Sequence, residues 1–150
     1  MASLSGSASA QIDAPIADVW VIVEDVGGWP AWQDKLGKLD VLERDADGRA
    51  RVCRMQLDAG ITTIKMTLNC SYRPCARMSF ERVAGDLKAL AGAWKLEDLG
   101  DGRTRATYEL EVAPGGVLNM LLNDERKAKL RGILIDVRPS ELKARAETGA

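Results

Sequence analysis

Thr63-Ile-Lys-Met-Thr-Leu-Asn-Cys-Ser-Tyr72 alternates apolar and polar residues almost without a break. Successive side chains of a strand point to opposite sides of its sheet, so Ile64, Met66, Leu68, Cys70 and Tyr72 share one face and Thr63, Lys65, Thr67, Asn69 and Ser71 the other. One face is apolar and the other wet, as in an antiparallel sheet covered on one side. The pattern recurs downstream. Met78, Phe80 and Arg82 share a phase, Leu90, Gly92, Trp94 and Leu96 line up on another run, and Ala106, Tyr108, Leu110 and Val112 oppose Arg105, Thr107, Glu109 and Glu111. Asp47-Gly48, Asp58-Ala59-Gly60, Arg73-Pro74, Ala84-Gly85-Asp86 and Gly100-Asp101-Gly102 punctuate the runs, which makes them an antiparallel meander. Val52 is out of phase with Cys53, Met55 and Leu57, which predicts a bulge in that strand.

Upstream of the meander, Met1 to Gly6 are small and polar and read as a frayed lead-in. Ala8, Ala10 and Ile12 form a weak strand of small residues. Asp13-Ala-Pro-Ile starts a helix, and Ile16, Val19, Trp20 and Val23 give it one apolar face. Gly27-Gly28-Trp29-Pro30 breaks that helix, and Trp32 with Leu36 suggests a second short one ending at Gly37. Downstream, Pro114-Gly115-Gly116 ends the strands, and Leu130, Ile133, Leu134 and Val137 form the stripe of a helix that would cover the sheet. Pro139 lacks the N–H that would bond the carbonyl of Ile135, which predicts a kink or restart there. The expected order is one strand, two helices, six strands and a long helix, in a single α+β domain over residues 1–150.

Composition narrows the function. Of 150 residues, 46% are apolar and 29% charged, enough for a sizeable core without staples. The 21 basic and 22 acidic side chains balance to −1, which argues against nucleic-acid binding. The chain has no histidine, so Ser-His-Asp, Cys-His and His-based zinc chemistry are excluded. Cys53, Cys70 and Cys75 fit neither a disulfide framework nor a zinc ribbon and read as thiols in a reducing compartment. MASLSGSASA lacks the basic and apolar regions of a secretory leader, and no stretch is apolar enough to span a membrane. These features lead us to expect a cytoplasmic monomer or homodimer with no metal and no cofactor.

Ile12-Asp-Ala-Pro-Ile-Ala-Asp-Val-Trp20 followed by Trp29-Pro-Ala-Trp32 resembles a family opening in which a short strand leads to Ala-Pro, an acid, Val-Trp and Pro-x-Trp. Gly85-Asp86-Leu87, Gly92-Ala93-Trp94-Lys95-Leu96, Gly100-Asp-Gly-Arg-Thr104 and Tyr108-Glu-Leu-Glu-Val112 continue the likeness. Over about residues 7 to 147 the chain resembles the START-like (SRPBCC) superfamily, in its polyketide cyclase/dehydrase and lipid-transport branch. The resemblance implies a helix-grip fold, a curved antiparallel sheet of about seven strands wrapped around a long C-terminal helix with a deep apolar cavity between them. It also implies a small hydrophobic ligand: members bind lipids, sterols, quinones, polyketides or plant hormones, and a minority act as aromatase/cyclases or dehydratases.

The residues expected at such a cavity follow from the inward phases. Met66, Leu68, Met78, Phe80, Leu90, Trp94, Leu110 and Leu130 would supply its apolar wall or serve as ordinary core. Tyr72 and Tyr108 would offer phenols to a carbonyl or hydroxyl, or satisfy backbone groups. Arg82 would pair with an anionic head group, or reach solvent or a neighbouring acid across a turn. Arg126 lies in the stripe only if the terminal helix is continuous; if Asn123 caps a new helix, it does not. Trp32 would close the mouth as a lid or anchor a short helix. With histidine absent, the inward ionisable groups are tyrosines and arginines, and Cys53 and Cys70 have no neighbour that would make a thiolate. Binding without chemistry is therefore favoured, with a cyclase/dehydratase and a module acting on a larger assembly as the alternatives.

Overall fold

The computed structural model describes residues 4–60 and 62–148. Seven strands form one antiparallel sheet: β1 (Leu4–Ile12), β2 (Leu36–Arg44), β3 (Ala50–Asp58), β4 (Thr63–Arg73), β5 (Arg77–Gly85), β6 (Ala89–Gly100) and β7 (Arg103–Ala113), in the order β1-β7-β6-β5-β4-β3-β2. Strands 2 to 7 are sequential neighbours, as the turn residues predict, and β1 closes onto β7. Helix α1 (Ile16–Glu24) and a 3-10 turn (Val26–Ala31) lie between β1 and β2, and α2 (Gly116–Leu121), α3 (Asp124–Arg131) and α4 (Arg138–Glu147) follow the sheet. This is the helix-grip architecture, with α3 and α4 held against β1 and the concave face.

Small residues decide how closely the terminal helix approaches. Gly6, Ala8 and Ala10 face inward on β1, and a Cβ on Gly6 would lie 3.5 Å from the Arg131 side chain and 3.6 Å from Ile135. Gly92 serves the same purpose inside the sheet: a Cβ there would stand 2.5 Å from the Phe80 ring and 2.9 Å from the carbonyl of Glu109. Phe80 therefore lies flat across β6 because position 92 carries no side chain.

Two expectations are corrected and two are borne out in detail. The lead-in is shorter than its composition suggests, because Leu4 pairs with Val112 and is 3% exposed, so Leu4 to Gly6 belong to β1; Met1 to Ser3 lie outside the described residues. The second helix predicted up to Gly37 is the 3-10 turn instead, and Leu36 is already strand, paired with Leu57. There the buried Trp29 donates its indole N–H to the carbonyl of Val23, and tertiary burial overrides the i, i+4 spacing of Trp32 and Leu36. The expected bulge in β3 is present at Arg51, which the pairing with β2 skips beside Val52, and β2 adds shifts of its own between Leu36 and Leu39 and at Leu42, while the register of β3 with β4 is unbroken from Val52 to Asp58. The terminal helix restarts at Pro139 as expected, and of the two readings left open at Asn123 the new helix is the one present. Asn123 caps α3 by accepting from the Arg126 N–H at 2.8 Å, and residues 132–136 form a π turn in which the Val137 N–H reaches the Gly132 carbonyl. Pro139 then sits in the first turn of α4, where its missing N–H costs nothing.

Candidate functional site

The inward faces of β3 to β7, the Leu134–Arg138 stretch and the segment after the 3-10 turn enclose one small cavity. It is lined by Trp29, Gln33, Leu36, Met55, Leu57, Met66, Leu68, Phe80, Leu90, Tyr108, Leu110, Leu134 and Arg138. Its volume is about 40 Å³, room for a water and not for a lipid tail. The deep hollow implied by the resemblance is thus nearly filled by the protein's own side chains. Beside it, an apolar groove of about 320 Å³ runs along Ala59, Gly60, Leu122, Leu130 and Ile133, with Arg126 and Lys129 at its rim. Cavity and groove share the end of β3 and the segment 130–134.

One end of the cavity is polar, and its construction can be followed bond by bond. Arg138 is 2% exposed; its Nη1 donates to the carboxylate of Glu141 at 2.8 Å and to the carbonyl of Asp34 at 2.7 Å. The other Glu141 oxygen accepts from the N–H of Asp34 at 2.6 Å. The ion pair therefore holds both backbone groups of Asp34 and pins the preceding residue, Gln33, against the cavity. Gln33 is 5% exposed, and its Nε2 has no hydrogen-bond partner among the described residues. A buried amide donor without a partner costs about 1–3 kcal/mol. In the same lining, burial pushes the Tyr108 phenol up to about 12, with the Arg138 cation and the Glu141 anion acting on it in opposite directions. Tyr108 is thus a hydrogen-bond donor at neutral pH and not a base.

The expected residues divide three ways. Met66, Leu68, Phe80, Leu90, Tyr108 and Leu110 do line the cavity. Met78 and Trp94 are fully buried behind it, with Trp94 packed 4.6 Å from Tyr108 and 6.0 Å from the half-buried Trp32, so these three are core rather than lining. Leu130 lines the groove. Tyr72 is turned to the backbone: its hydroxyl donates to the carbonyl of Ala50, the Arg49 guanidinium stacks on its ring at 4.9 Å, and burial raises its pKa.

Neither arginine is among the residues that line the cavity. Arg82 keeps the inward phase of β5, opposite Leu68, but the register shifts just beyond it at Val83, and its Nη2 turns to the carbonyl of Gly85 at 3.0 Å across the turn. Arg126 is exposed because α3 begins anew at Asn123, and its Nη1 donates to the carbonyl of Leu121. Cys53 and Cys70 are buried neighbours, and Cys70 is raised first by its hydrogen bond to Cys53 and then by burial, which suits structural thiols. Among the described residues no cluster of three metal-ligating side chains occurs.

Trp29, Gln33 and Arg138 are the polar and aromatic lining that the sequence reading missed. Arg138 had a signal: stepping forward in fours from Leu130 reaches Leu134 and then Arg138. Gln33 had none, because it lies between Trp32 and Asp34 in a segment without period.

A seven-stranded sheet gripping a terminal helix, with an enclosed apolar site between them, defines a START-type protein. The chain belongs to the family described as polyketide cyclase / dehydrase and lipid transport, whose profile matches residues 12–132. A START superfamily protein from Mycobacterium smegmatis is similar in fold, with a TM-score of 0.83 at 18% identity over 97% of this chain and 99% of that one. The Zhui aromatase/cyclase from Streptomyces sp. R1128 is similar with a TM-score of 0.78 at 17% identity, covering 97% and 94% of the two chains. A di-domain aromatase/cyclase from the steffimycin biosynthetic pathway aligns over 96% of this chain and 45% of its own, with a TM-score of 0.65 at 16% identity. No curated protein sequence matches the chain. Among the described residues no helix is long and apolar enough to cross a membrane.

Proposed function

We propose that the protein binds a hydrophobic or amphipathic small molecule between the sheet and the terminal helix, without transforming it. The observation that carries this reading is the unpaired Gln33 amide in a cavity walled by Met, Leu, Phe and Trp, with Tyr108 and the paired Arg138 as its other polar groups, the combination of apolar surface and a few polar anchors that ligand sites use. Family membership supports it. The small enclosed volume means that a guest enters by parting the 130–138 segment from the sheet, and the π turn at 132–136, a break in the regular helical bonding, is where that segment would yield. Flexible Met55 and Met66 adapt the wall to the guest. Removing apolar area from water supplies about 25 cal/mol per Å2 toward binding.

Binding without catalysis is the better reading of these residues, since the ionisable side chains lining the cavity are a phenol held protonated and an arginine already paired. A cyclase or dehydratase needs a positioned base, and a substrate whose turnover vanished in Tyr108→Phe would establish that activity instead.

A second reading, a module that docks on a larger assembly, draws on two observations: the interior is nearly full, and Met120 and Leu121 on α2 are 86% and 45% exposed side by side. Native mass spectrometry of freshly purified protein, followed by organic extraction, separates the two. A bound small molecule released by solvent supports the binder. Bare protein that also fails to take up added hydrophobic compounds supports the docking module.

A further inference from the structure

Resting on the cavity reading above, we infer that the guest is electrically neutral and presents a carbonyl-type acceptor oxygen to the side-chain amide of Gln33. The only cation lining the cavity among the described residues, Arg138, is matched by Glu141 at 2.8 Å and by the carbonyl of Asp34 at 2.7 Å, so this end of the cavity carries no uncompensated positive charge. An incoming carboxylate would lose its hydration and would face the Glu141 anion behind Arg138. The unmet need of the site is a different one. Gln33 Nε2 is a neutral donor, 5% exposed as a residue, with nothing to donate to, and the Tyr108 phenol in the same lining is a second neutral donor. Two neutral donors in an apolar enclosure select an uncharged acceptor. A ketone, quinone or ester oxygen satisfies them; a hydrocarbon leaves Gln33 unpaired. Arg82 and Arg126, the cations that would have favoured an acid, lie outside the cavity.

The test compares 2-octanone, octane and octanoate at neutral pH, read by the intrinsic fluorescence of the tryptophans, of which Trp29 lines the cavity. The expected result is that 2-octanone binds about tenfold more tightly than octane and at least tenfold more tightly than octanoate. Gln33→Leu brings the ketone and alkane to within about twofold of each other while octane affinity holds. Octanoate binding as tightly as 2-octanone overturns the inference. So does equal binding of ketone and alkane by the unaltered protein, which needs no variant and would mean that a trapped water satisfies Gln33 while the cavity reading stands. If none of the three compounds binds, the cavity reading itself falls and this inference with it.

Discussion

Arg138 and Arg82 are both withdrawn from solvent, and they differ in what answers their charge. Arg138 is closed off in the core, and a carboxylate and a backbone carbonyl take its donors. Arg82 lies half-buried at the end of β5, bonded to one carbonyl, with its Nε buried and unpartnered. The difference shows that a buried guanidinium does not by itself signal an anionic ligand. Where the cation lines the cavity it is already neutralised, and where it is poorly satisfied it is not part of the lining.

The comparison breaks first at Arg138. Arg138→Met leaves Glu141 without its counter-ion and releases Asp34, so stability should fall by about 3 kcal/mol in urea unfolding. A loss below about 1 kcal/mol would mean that the pair does not hold the polar end together. Alkaline titration is the next largest effect. Tyr108 is raised from its ordinary value to about 12 by burial, so the neutral phenol is the form the fold favours. That contribution is complete below about pH 10 and is lost as pH rises toward 12, at a cost of about 2 kcal/mol. In a Tyr72→Phe background, where Tyr108 is the only tyrosine, absorbance near 295 nm should rise only with unfolding. Adding Glu141→Gln, which leaves the Arg138 cation uncancelled, should bring that ionisation to lower pH.

Tyr72→Phe itself should cost about 1 kcal/mol, the worth of its bond to Ala50, with no change in guest affinity. The smallest effect belongs to Arg82→Met, expected within about 0.5 kcal/mol of the unaltered protein and without effect on binding of octanoate or 2-octanone. An affinity change there would return Arg82 to the site and undo the contrast with Arg138.

Most of the sheet could be read from the chain because alternation is a local signal. Thr63 to Tyr72 and Ala106 to Val112 fall in the structure with the faces their pattern predicts. Six lining residues followed from the same rule. Arg82 keeps the inward phase as the rule predicts, yet its guanidinium turns to the Gly85 carbonyl where the register shifts at Val83, and nothing in Arg82-Val-Ala-Gly85 announces that. The terminal helix was legible in its stripe and in its restart at Pro139, whereas at Asn123 the break was one of two open readings, and a stripe extended backward to Arg126 across it misplaced that residue. Gln33 is invisible to periodicity because its position is set by Arg138 and Glu141, more than 100 residues away.

The central claim, that a guest lodges between sheet and terminal helix, is tested most directly through the methionine methyl groups. Met55 and Met66 line the cavity, whereas Met120 is 86% exposed on α2. In methyl NMR spectra with 13C-labelled methionine, titration with 2-octanone should shift the Met55 and Met66 signals saturably and leave Met120 in place. A shift confined to Met120, or none at the two inward methionines at saturating ketone, would contradict the account.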